Sequence, residues 1–180
     1  MADHIRRFTA LTLLGLTAYL ACLLMPQAGA AADDLAATRA RLVLPTEPAG
    51  AVNPTEAKVG LSTTPQPLAI AGRIAAKGMD PFVKGKASFA MMQLPDDHAK
   101  KPGHNSDDCP FCKKRLAKAP LVAVQFVNSD GKDIAIDARD LFGVANGQEV
   151  VVKGTATFNP KLALPIIQLK GEGIFIRPTP

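Results

Sequence analysis

Gly147-Gln148-Glu149-Val150-Val151-Val152-Lys153-Gly154 is a run of β-branched residues held between two glycines. Asn146-Gly147 is a tight-turn signal that launches the run. Beyond it, Val150, Val152, Gly154, Ala156 and Phe158 alternate with their neighbours. That period of two belongs to a β-strand with one face in a core. A glycine inside a strand lets the backbone bend sharply or approach another closely, as a small barrel requires. The stretch therefore predicts a strand over 149–158 in a tightly curved sheet.

The same pattern extends outward on both sides. Leu68, Ile70, Gly72 and Ile74 alternate with Ala69, Ala71, Arg73 and Ala75. Ala87, Phe89, Met91 and Gln93 alternate with Ser88, Ala90, Met92 and Leu94, which suits a strand buried on both faces. Leu121 to Asn128 is rich in Val and Phe, and Asn128-Ser129-Asp130-Gly131 is a hairpin signal. Residues 133–137 (Asp-Ile-Ala-Ile-Asp) resume as a strand, and Ala138 to Val144 reads as one or two helical turns. Leu164 to Arg177 is a strand interrupted at Gly171 and Gly173. A short helix between the third and fourth strands is the layout of a five-stranded OB-like Greek-key barrel. The expected fold is all-β, with a long Cys/His-containing insert between strands 2 and 3. A different small barrel or sandwich is the alternative.

Ile70-Ala71-Gly72-Arg73-Ile74 and Gly147 to Gly154 carry the pattern of a first strand ending in G-x-I and a later G-x-x-V-x-V-x-G. On those motifs the domain resembles exported bacterial OB-fold proteins over about 66–177, the insert excepted. The resemblance implies fold, since one fold hosts many functions. Some proteins of that group bind oligonucleotides, and one carries haem through a His and a Tyr in its C-terminal tail. Arg177-Pro178-Thr179-Pro180 has neither. Cys109-Pro110-Phe111-Cys112-Lys113 also lacks the His of a C-x-x-C-H haem attachment site. Covalent haem carriage is not expected.

Residues 1–30 read as an export signal. Arg6 and Arg7 precede an apolar run from Phe8 to Met25, then Pro26, then an A-x-A site at Ala28-Gly29-Ala30. Cleavage is expected after Ala30, placing the domain in the periplasm or outside the cell. An uncleaved anchor is a second reading, because the run is near the lower length limit for a bilayer span. A lipoprotein signal at Leu20-Ala21-Cys22 is a third. Residues 31–65 hold Pro45, Pro48, Pro54 and Pro65 and read as a flexible tether, with a short helix over Asp33 to Leu44 stopped by Pro45. Residues 66–180 are the barrel domain, with the insert at 95–120.

The chain has a net charge of +5, which is too mild and too dispersed to make a nucleic-acid surface. It has no Trp, and its one Tyr, Tyr19, lies in the signal. Only phenylalanines remain for stacking, which further disfavours a single-stranded nucleic acid as partner. A protein partner stays open. Once Cys22 is removed, Cys109 and Cys112 are the remaining cysteines, so the core must rest on aliphatic packing.

The insert carries the chemistry. His98, His104, Cys109 and Cys112 have the spacing H-x5-H-x4-C-x2-C. Cysteines two residues apart can bind one ion from one side of a turn, and two imidazoles can complete a tetrahedron. Zinc is the expected ion, with Cu(I) the alternative because thiolates are soft. Lys100, Lys101, Lys113, Lys114 and Arg115 would offset the thiolate charge, and Asp107 and Asp108 would cap a helix beginning near Pro110. A loop far longer than ordinary connections needs such a constraint. Two other readings compete. Cys-Pro-Phe-Cys before a basic helix resembles a thioredoxin-type redox site, although those follow a buried strand. A plain disulfide, formed because the compartment oxidises, is the bland reading.

No G-x-S-x-G, Walker loop or G-x-G-x-x-G is present. Asp130, Asp133, Asp137 and Asp140 fall at a turn, on a strand face and near a helix start, where solvation and capping account for them. Met91 and Met92 read as core. The expected function is an exported metal-binding domain; the alternatives are a thiol–disulfide redox protein using Cys109 and Cys112, or a module that binds a ligand or protein on the barrel face and carries a merely structural disulfide.

Overall fold

A computed structural model describes residues 28–94, 109–164 and 166–178. The expected signal, residues 1–27, lies outside that range, as do His98 and His104 of the insert. The chain falls into two units, Met1–Ala36 and Ala37–Pro180. The described part of the first is the beginning of helix α1 (Ala28–Leu42). Among the described residues, no helix is long and apolar enough to cross a membrane.

The second unit is a closed barrel of strands β1 (Gln66–Ile74), β2 (Ser88–Met92), β3 (Val122–Phe126), β4 (Glu149–Phe158) and β5 (Ile167–Ile176) in the order β1-β2-β3-β5-β4. Helices α2 (Pro54–Gly60), α3 (Pro110–Lys118) and α4 (Ala138–Phe142) surround it. All strand pairs are antiparallel except β3 with β5, which run parallel from Val122↔Ile167 to Phe126↔Gly171. This is the expected OB-like Greek-key ring, with α4 between β3 and β4.

The alternating residues fill it. Ile70, Ile74, Phe89, Met91, Val124, Val152, Leu169 and Ile174 are buried. Phe126 stacks between Phe89 and Phe142, with centroids 6.3 and 4.8 Å away. Phe142 comes from α4, which Asp137 caps at one end and left-handed Gly143 at the other. Strand β4 slips register between Lys153 and Gly154, so the expected bend falls at the glycine. A Cβ on Gly154 would collide with the Lys170 carbonyl.

Three sequence expectations change. Strand β5 is not interrupted: Gly171 and Gly173 lie within it, making room for Phe126 and Leu44. Residues 133–137 form no strand beyond an isolated bridge from Val127 to Asp133. Asp133 is drawn instead to Lys86 and Gln125, and the chain turns into α4. Finally, the stretch expected as a flexible tether is laid against the barrel from residue 43 onward. Leu44 N donates to Ile174 O at 2.8 Å, and Val52 bridges β1 through Ala69 O and Ala71 N at 3.0 and 2.9 Å. The cause is that β1 and β4 are apolar on their outer face as well. Ala69, Ala71 and Val151 form a second small core, covered in part by Ala51, Leu94 and Phe175.

Candidate functional site

Helix α3 closes the insert and leads into β3. Pro110 opens it, and its fixed φ and missing N–H suit a first turn. Cys109 stands immediately before this turn and Cys112 within it. The turn brings them together: Cys112 N–H donates to Cys109 Sγ at 3.3 Å. Both residues are half-buried and are thiols. Between them Phe111 is 80% exposed.

The two thiols are electrostatically unequal. The Cys109 thiol titrates below its ordinary value, chiefly because Cys112 hydrogen-bonds its sulfur, then because the N–H groups of Cys112 and Phe111 stabilise the thiolate. Cys112 titrates above its ordinary value, first because of its bond to Cys109, then because burial and the Cys109 charge also disfavour a second thiolate. Among the described residues, the neighbouring thiol and the helix backbone are what lower the Cys109 titration.

The other end of α3 is fixed to the barrel. Lys77 Nζ donates to Ala117 O at 2.5 Å, a cation placed on the exposed carbonyls of a helix C-terminus. Nothing in the sequence around Lys77 marks this role, since the partner is 40 residues away.

The structure thus brings together two of the four expected ligands, Cys109 and Cys112. His98, His104, Asp107 and Asp108 fall outside the described residues. Among the described residues, no group of three or more His, Cys, Asp or Glu side chains is arranged to hold a metal. Asp133 and Asp137 are tied to Lys86 and Arg139, in keeping with a capping and surface role. Met91 is core, whereas Met92 is only half-buried, beside α3.

Barrel and site together define a class: a small OB-like barrel with a dithiol on the helix that ends its long insert. No family model matches the chain, and no curated protein matches it. Among solved structures, a protein assigned as an aspartyl-tRNA synthetase from Leishmania major Friedlin is similar at 14% identity, over 75% of this chain and 22% of that one, with a TM-score of 0.36. A likeness at that level carries no argument about function.

Proposed function

We propose that the chain is an exported binding domain whose insert holds a metal ion through Cys109, Cys112, His104 and His98, with zinc the expected ion and Cu(I) the alternative. The supporting observation is the N–H···S bond from Cys112 to Cys109, which seats both sulfurs on one helical turn and favours the thiolate, the form that binds metal. His104 is five residues before Cys109 in the chain, a span of at most about 18 Å when fully extended, so an imidazole is within reach of the sulfurs.

The test is elemental analysis of the reduced full chain. About one equivalent of zinc or copper, lost in Cys109→Ser/Cys112→Ser and weakened in His104→Ala and His98→Ala, is the expected result. A metal-free reduced protein that takes up neither ion on titration contradicts the reading.

The inequality of the thiols favours one alternative, thiol–disulfide exchange. The Cys109 thiolate would attack a partner's disulfide, expelling one partner thiolate and leaving a mixed disulfide. Cys112 would then lose its proton and attack Cys109 Sγ, releasing the second partner thiolate. The partner gains two electrons and the dithiol becomes a disulfide. Catalysed reduction of insulin by the reduced chain, absent in Cys109→Ser, would establish this alternative over metal binding.

A further inference from the structure

A groove of about 370 Å³ lies beside α3, within the usual size range for small-molecule sites. Its apolar walls are aliphatic. Leu116 comes from α3, Met92 from β2, and Leu164 and Ile166 from the segment before β5. Met79, which is 71% exposed, and Leu164, which is 74% exposed, stand at its opening. Methionine adapts its shape to flexible apolar chains.

Among the described residues the charged lining has one sign: Lys58, Lys77 and Lys118 line the groove, and no carboxylate does. Lys77 uses one of its three N–H donors on Ala117 O, leaving two. Gln93, only 8% exposed, is the buried polar group in the wall. Its Oε1 accepts from Thr55 N at 3.3 Å and from the Thr55 hydroxyl. A backbone N–H can only donate, so this bond fixes the amide and leaves Nε2 as the group available to a ligand. The groove therefore combines aliphatic walls, one placed amide donor and cationic groups.

We infer that this groove binds a medium-chain fatty-acid anion, with the alkyl chain along Met92, Leu116, Leu164 and Ile166 and the carboxylate among the lysines. An alkyl cation would be repelled by the same lysines, and a bulky aromatic finds no ring to stack on among the described lining residues. The inference is independent of the thiols, although α3 serves both sites.

The test is calorimetric titration of the full chain with octanoate, decanoate and decyltrimethylammonium below their micellar concentrations. Saturable decanoate binding is expected, about tenfold tighter than octanoate because two more methylenes are buried, and weaker at high salt. Leu164→Asp and the pair Lys58→Glu/Lys118→Glu change exposed side chains and so spare the fold, which circular dichroism would check. Each should weaken decanoate at least about tenfold. Decyltrimethylammonium binding as tightly as decanoate, variants that bind like the parent chain, or no saturable heat would each overturn the inference.

Discussion

Cys109 and Cys112 differ because of where the helix places them. Cys109 accepts from the first turn, and Cys112 sits inside it. In the reduced, metal-free chain, limiting iodoacetamide near neutral pH should therefore alkylate Cys109 first, as peptide mapping would show. In Cys109→Ser the largest cause of the raised Cys112 titration is gone and only burial still raises it, so its alkylation should shift to lower pH. An unchanged Cys112 profile would refute the coupling. Asp137 is a second residue with a definite sign. Its bonds to Arg139 hold its carboxyl below the usual carboxylate range, with help from the Arg139 and Gly85 N–H groups. An unfolded Asp titrates near pH ~3.9, so this contribution is present above that pH and is lost as pH falls further. Asp137→Asn keeps an α4 cap yet removes the titration. Urea midpoints between about pH 4 and pH 2 should fall less steeply in that variant than in the parent. Gly171 is a packing limit: a Cβ there would lie 2.5 Å from the fully buried Phe126 ring. Gly171→Ala should cost roughly 1–3 kcal/mol in urea unfolding.

Among the elements, α3 is held by its ends. Lys77→Ala removes the donor on Ala117 O, so amide exchange should quicken in the last turn of α3 while β4 and β5 stay protected. The strands were legible because each carries a period of two, and 149–158 was read to the residue. The helix at Pro110 is legible from its opening proline, and the one after Asp137 from its cap. Two features were not. Residues 133–137 alternate like a strand, but Asp133 is held by Lys86 and Gln125, contacts that local pattern does not encode. The docking of residues 43–60 was hidden by prolines that read as a linker. The signal lay elsewhere, in Ala69, Ala71 and Val151, which make the outer face of the sheet too apolar to be left to water. Asn53-Pro54-Thr55-Glu56 is also a capping box, visible before the structure to anyone counting from Pro54. For the site, the C-x-x-C spacing foretold a shared turn; the groove beside it joins residues from five separate stretches and has no sequence signature.

At the scale of the whole molecule, the docked segment belongs to the folded unit. A chain beginning at residue 66 loses the Val52 and Leu44 hydrogen bonds, the Phe158 N to Ser62 O bond and the Glu47–Arg177 ion pair. It should unfold at lower urea and expose apolar surface to a hydrophobic dye, whereas a true linker would leave stability unchanged. The parallel contact of β3 with β5 has a consequence for how the molecule comes into being. Strand β5 is the neighbour of both β3 and β4, and it lies more than forty residues downstream of the β3 positions it joins, as in Val122↔Ile167. A chain threaded out of a pore with its early residues first cannot complete the ring until residues 167–176 have emerged. Until then β3 offers one open edge and β4 another, while the Phe126 ring lacks its cover from Gly171. The barrel is thus a structure that waits, and ring closure is the slow, long-range event of its birth.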